Sequence, residues 1–298
     1  MIWCVTLNPS LDIVYRVPGR FQPGGIYRTE PLERAGGKGN NVARTVARLG
    51  HGVTSVGIYG GLTGANIRGR LQKLGVPSLY QESGEESRRC LTIVGNEDVT
   101  EIREPGPPIP LSVGATLLRN LLQSVSRADW VTLSGSLPAD WPDDTYFEWI
   151  QALKPRVAGI VLDTSGVPLR RGVEAQPTAI VPNQAEYQEL DGRAIKGVHT
   201  IITAGPRGAI WITPSRERLR FSTRPVTVRN PVGAGDSFLG GLVFALSQGR
   251  PMMEAIRYAV AVGTSSVTTD AVGDIDPDLI QQLVELVHVV RSEDDELT

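Results

Sequence analysis

Apolar residues in this chain come in short blocks separated by longer stretches with helical spacing. Residues 2–7, 53–59, 130–133, 159–162, 179–181, 199–203 and 209–212 are compact apolar runs of strand length. Between them, 65–74 and 111–125 repeat apolar residues at three- and four-residue intervals. In 36–49, Val42, Val46 and Leu49 share one helical face. Three further helices are expected near 236–248, 251–265 and 277–291. Strands alternating with helices imply a mostly parallel sheet with helices on both faces.

Two stretches break the alternation. Residues 12–17 with 27–33, and 90–94 with 100–103, the two pairs lying near 12–33 and 88–103, mix polar and apolar positions and carry no helix of their own. Pro18-Gly19, Pro23-Gly24-Gly25 and Asn96-Glu97-Asp98 punctuate them as turns. They predict one small antiparallel sheet standing apart from the α/β core. No internal repeat is visible.

The 298 residues are 41% hydrophobic and 21% charged, ordinary for a soluble globular protein. A formal charge of −2 gives no field suited to nucleic acid. No apolar run approaches the ~18 residues of a membrane span. Met1 leads straight into a strand without the pattern of a secretory leader, so a cytoplasmic protein is expected. Cys4 and Cys90 lie in strand-like runs and are expected as buried free thiols. His51, His199 and His288 are scattered without zinc-ligand spacing. The acidic tail 292–298 is expected in solvent.

The densest chemistry lies in Asn230-Pro231-Val232-Gly233-Ala234-Gly235-Asp236-Ser237, directly before an apolar helix. Small residues at a helix start offer free N–H groups to an anion. Asp236 in the same corner suits a base that deprotonates a hydroxyl while the amides hold a phosphoryl group. A plain turn capped by Asp is the competing interpretation.

Gly36-Gly37-Lys38-Gly39-Asn40-Asn41 is a second glycine-rich helix start. It is neither a Walker A motif nor a dinucleotide fingerprint. Its backbone together with Lys38 and Asn41 suits a sugar phosphate. Arg28, Arg88, Arg89 and Arg103 fall on the expected small sheet and, with Lys38, form a candidate phosphate clamp. Asp12 and Ser136 follow apolar strands, where α/β sheets bind ligands. Asn183 either caps a helix or, with Glu186, organises magnesium-bound water. Thr203, Gly205 and Gly208 lie on another strand-end turn, a plausible nucleotide contact.

In this order the motifs resemble those of the PfkB carbohydrate kinase family within the ribokinase-like superfamily. Residues 36–44 look like its N-terminal signature, 232–237 like its C-terminal signature, and Asn183-x-x-Glu186 like its Asn-x-x-Glu motif. The resemblance implies one three-layer ribokinase-like kinase domain over 1–298, with a β lid formed by about 12–33 and 88–103. It implies ATP and Mg²⁺, Asp236 as base, and an anion hole from Gly233, Ala234 and Gly235. Asn183 and Glu186 would act with Mg²⁺, Glu186 through water, and Thr203, Gly205 and Gly208 with nucleotide. Asp12, Gly37, Lys38, Asn41, Arg28, Arg88, Arg103 and Ser136 map to the sugar phosphate. A homodimer through the lid is expected.

Within the family, Lys38, 134–138 and 100–102 are similar to the branch of 1-phosphofructokinase and tagatose-6-phosphate kinase. Fructose 1-phosphate leads as substrate, ahead of tagatose 6-phosphate and fructose 6-phosphate. A non-catalytic sugar-phosphate sensor is the alternative from another class. Asn40 and Arg103 depart from the residues common in relatives and are expected near the sugar pocket.

Overall fold

The computed structural model describes residues 1–96, 98–190, 195–270 and 273–292. The chain opens with β1 (Ile2–Thr6), then β2 (Ser10–Arg16) and β3 (Leu32–Gly36). α1 (Lys38–Arg48), β4 (Val53–Tyr59), α2 (Gly61–Lys73) and β5 (Ser78–Glu82) follow. Next come β6 (Arg88–Val94), β7 (Val99–Arg103), α3 (Leu111–Ser124) and β8 (Trp130–Ser134). The middle holds α4 (Thr145–Leu153), β9 (Gly159–Asp163), α5 (Gly166–Glu174), β10 (Ala179–Ile180) and α6 (Gln184–Glu189). Then β11 (His199–Thr203), β12 (Ala209–Ile212) and β13 (Arg218–Ser222) precede α7 (Ala234–Ser247), α8 (Met252–Ser266), α9 (Pro277–Glu285) and β14 (His288–Arg291).

The larger sheet has ten strands in the order β14-β13-β12-β11-β10-β9-β8-β1-β4-β5. From β5 to β11 neighbouring strands are parallel; β12, β13 and β14 extend the sheet by antiparallel pairing. All seven residues of β4 are buried, as expected for a strand covered on both faces. β1 divides its side chains between two cores: Ile2 and Cys4 join one with α1, α7 and α8, and Val5 joins the other with α3 and α4. Cys4 and Cys90 are free thiols, Cys4 buried and Cys90 half-buried.

Three strands depart from the expectation. β5 and β13 stand where the pattern gave no strand, and β14 replaces the end of the helix expected to reach residue 291. α9 ends at Glu285, after which His288–Arg291, centred on the β-branched Val289 and Val290, pairs with β13. Residues 293–298 of the expected acidic tail, and Glu97 of an expected turn, lie outside the described residues.

The second sheet has four strands in the order β3-β2-β6-β7. It is mixed rather than antiparallel, because its central pair β2–β6 is parallel. The reason is topological. β2 and β6 each follow a parallel strand of the main sheet, β1 and β5, through a short connection. Both therefore leave the same edge of that sheet in the same direction. The segment expected as a strand at 27–33 is irregular up to Pro31, so Arg28 is exposed in a connection instead of lying on the sheet.

Candidate active site

The carboxyl ends of β1, β8, β9, β10 and β11 meet the N-termini of α1 and α7 at one edge of the main sheet. Side chains from distant parts of the sequence converge there. The α1 turn must approach β1 closely: a Cβ on Gly39 would sit 2.4 Å from the Val5 carbonyl oxygen. That contact seats Lys38 and Asn41 over the strand end.

α7 starts from Gly233, whose φ of 79° is left-handed, a conformation that glycine adopts at little cost. The amides of Gly233, Gly235 and Asp236 have no protein acceptor among the described residues. The amide of Ala234 donates a long bond, 3.4 Å, to Pro231 O. A Cβ on Gly235 would meet nothing within 4 Å, so the approach to these amides is open.

Asp236 is buried in the first turn of α7. Asn41 Nδ2 donates to its Oδ2 at 2.8 Å. Burial pushes its pKa up to about 7; the nearby Asp163 adds to the rise, while Asn41 and Lys38 oppose it. The carboxyl is therefore poised between acid and base near neutral pH.

Lys38 Nζ lies 2.9 Å from Asp163 Oδ1 and 3.9 Å from Glu186 Oε1. Burial opposes its charge, but Asp163, Glu186 and Asp236 together hold the ammonium protonated above its ordinary range. Asp163, at the end of β9, did not stand out in the sequence. An acidic residue closing an apolar parallel strand was the available signal. Asn183 and Glu186 form a reciprocal capping box on α6. Glu186 N donates to Asn183 Oδ1 at 2.9 Å, and Asn183 N donates to Glu186 Oε2 at 2.8 Å. The capping box leaves Glu186 Oε1 facing Lys38. Burial raises the pKa of Glu186.

Thr203 bridges to Asn183 across the strand ends, placing the Thr203–Gly208 turn beside α6. Gly205 and Gly208 both have positive φ, and a Cβ on Gly208 would strike Phe221 O at 2.0 Å.

Asp12, Cys90 and Arg103 stand in one row across β2, β6 and β7. Burial raises the pKa of Asp12, and Ser10 Oγ donates to its Oδ1 at 2.6 Å. Arg88 is held by Asn8 O and Glu104 O, both at 3.2 Å. Asn8 Nδ2 reaches Ser136 Oγ at 3.4 Å, tying the first strand end to the loop after β8. Asn8 is a second residue that did not stand out in the sequence. Arg103 is exposed and donates to Glu101 Oε2 at 2.5 Å. Asn40 is not in this set. It is fully buried and bonds to Gly36 O at 2.8 Å, Ser55 Oγ at 2.7 Å and Tyr59 OH at 3.1 Å, which makes it a strut beneath the α1 turn.

An α/β sheet edge with a buried carboxylate, open helix-start amides and a lysine between carboxylates defines a phosphotransferase. The pfkB family carbohydrate kinase model matches residues 6–279, and the chain belongs to that family of sugar kinases. The chain is 32% identical to 1-phosphofructokinase of Bacillus subtilis strain 168, over 98% of this chain and all of that protein. It is 31% identical to 1-phosphofructokinase of Borreliella burgdorferi, over 89% of this chain and 91% of that protein. A crystal structure of phosphofructokinase-2 from Escherichia coli in complex with fructose-6-phosphate superposes with a TM-score of 0.85. It shares 25% identity, covering 95% of this chain and 98% of that one.

Proposed function

We propose that the chain transfers the terminal phosphoryl group of ATP to a phosphorylated ketohexose, converting fructose 1-phosphate to fructose 1,6-bisphosphate. The observation that carries the reading is Asp236, buried beside open amides with its proton affinity raised to neutrality. The substrate rests on the curated relatives' name, on the cationic Arg88 and Arg103 around Asp12, and on Lys38 at the strand ends. Fructose 6-phosphate, the sugar bound to the Escherichia coli relative, and tagatose 6-phosphate are the competing acceptors. A sensor without catalysis is disfavoured, because the base and the glycine turn are both in place.

Asn41 holds Oδ2 of Asp236, so Oδ1 takes the proton as the acceptor hydroxyl's oxygen attacks the γ-phosphorus. The bond to the bridging oxygen breaks and ADP leaves. The amides at Gly233–Gly235 donate to the phosphoryl oxygens in flight. Arg88, Arg103 and Lys38 hold the phosphate already on the sugar. Asp163 and Glu186 offer hard carboxylate oxygens of the kind Mg²⁺ takes, together with its waters and substrate phosphates. Among the described residues no three His, Cys, Asp or Glu side chains form a metal cage, so that ion would lean on water and phosphate for its shell. When bound, Mg²⁺ neutralises charge on the triphosphate. Asn183, Thr203, Gly205 and Gly208 border the nucleotide.

The four-stranded sheet acts as a lid that keeps water from the phosphoryl group. Its edge strand β7 exposes Val99 and Ile102, at 62% and 54%, along an unpaired backbone, which suits pairing of two lids in a homodimer. The test of the mechanism is Asp236→Asn. Turnover is expected to fall at least ~10²-fold while calorimetric affinity for the sugar phosphate is kept. Near-normal turnover would overturn the assignment.

A further inference from the structure

A second cluster of cations lies behind the candidate active site. A cavity of about 220 Å³ opens between β3, α1 and the C-terminal end of α2. Arg34, Arg44, Arg48, Arg70 and Lys73 line it. The carboxylates on its wall are Glu33 and Asp274, and both are already engaged. Arg48 pairs with Asp274 at 3.1 Å, and Arg70 pairs with Glu33. Arg70 also donates to Glu33 O at 2.8 Å and to Asn66 Oδ1 at 2.7 Å.

Beyond these pairs, two side chains are left over. Among the described residues, the side chains of half-buried Arg34 and exposed Lys73 make no hydrogen bond or ion pair. Arg44 is buried at the floor and donates to Ala35 O at 2.6 Å and Asn41 Oδ1 at 3.2 Å. Burial lowers its pKa to about 10, and the like charge of Arg34 adds to the depression; Asp12, Asp274 and Asp236 oppose it. Asp12 stands opposite Arg34 across β2–β3 and borders the cluster on the lid side. Crowded guanidinium groups around a water-accessible hollow gain from an anion that bridges them.

We propose that this cavity is a binding site for a small phosphate-bearing anion, separate from the sugar-phosphate and nucleotide positions. Its size falls below the ~300–1,000 Å³ of pockets that hold drug-sized ligands, so it suits a phosphate or diphosphate group rather than a whole nucleotide. Arg34 and Lys73 supply the uncommitted charges at its mouth, and Arg44 closes the floor. The occupant would stand next to the Arg44–Asn41–Asp236 chain of hydrogen bonds.

Inorganic pyrophosphate is the probe, titrated calorimetrically without magnesium into three full-length proteins. These are the wild type, the pair Arg34→Gln with Lys73→Gln, and the pair Lys38→Met with Arg88→Gln. Loss of one charged hydrogen bond is worth ~10- to 100-fold in affinity. The cavity pair is expected to bind at least ~10-fold more weakly, and the active-site pair to keep a wild-type site. Melting curves without pyrophosphate check folding. Because Lys73 is exposed, Lys73→Gln alone gives a folded fallback with the same direction of change. Three results overturn the proposal: no binding to the wild type, unchanged binding to the cavity variants, or binding lost only with Lys38 and Arg88.

Discussion

Asp236 is costly to keep as a carboxylate. Burial with Asp163 nearby raises its folded pKa from the ordinary 3.8 to about 7. Only the ionised form accepts a proton, so kcat/KM should fall on the acid side with a midpoint near pH 7, reporting the free enzyme. A profile flat from pH 5.5 to 8 would contradict the role. The same shift has a stability consequence of fixed sign. Between pH 4 and 7 the folded protein holds a proton that the unfolded chain has released, so the contribution of Asp236 to stability declines as pH rises through that window. Above 7 the native carboxylate is a net cost. Asp236→Asn should therefore raise the melting temperature of the ligand-free protein by a few degrees at pH 8, with the gain fading toward pH 4. A lower melting temperature at pH 8 would mean the charge is better compensated than its surroundings indicate. Asp236 was legible because its glycine turn is local in sequence. Asp163 was not, because its meaning comes from Lys38, 125 residues earlier, reaching it across the sheet edge.

At the scale of elements, patterns confined to a few residues were the most readable. The capping box on α6 follows from Asn183 and Glu186 three positions apart. Asn183→Ala should cost ~1 kcal/mol in urea unfolding, while Asn183→Asp should cost much less. Equal losses for the two would point to a role for Asn183 other than capping. Short strands without strong alternation were missed, as with β5 and β13. At β14 a β-branched run immediately behind α9 read as more helix, since periodicity cannot separate four residues. The parallel pairing of β2 with β6 was invisible in sequence, because it depends on where β1 and β5 point their ends. Asn40 shows the converse. Its departure from the residues common in relatives drew attention to it near the sugar pocket, yet its amide carries a buried network with Ser55 and Tyr59.

At the scale of the molecule, one sheet edge gathers residues from position 8 to position 236, and the proposed role of the small sheet is to cover them. If lids pair along β7, Ile102→Lys should place a charge in that seam and shift sedimentation at micromolar concentration from dimer to monomer. An unchanged dimer would move the interface elsewhere, and a wild-type monomer would remove it. The central claim is a kinase for a sugar that already carries a phosphate. Its most direct test is ADP release in magnesium ATP with fructose 1-phosphate, tagatose 6-phosphate, fructose 6-phosphate or unphosphorylated fructose. The predicted result is the highest kcat/KM with fructose 1-phosphate and at least ~10²-fold less with fructose, which lacks the group for Lys38, Arg88 and Arg103 to hold. Release that no phosphosugar accelerates, or a preference for the unphosphorylated sugar, would contradict it.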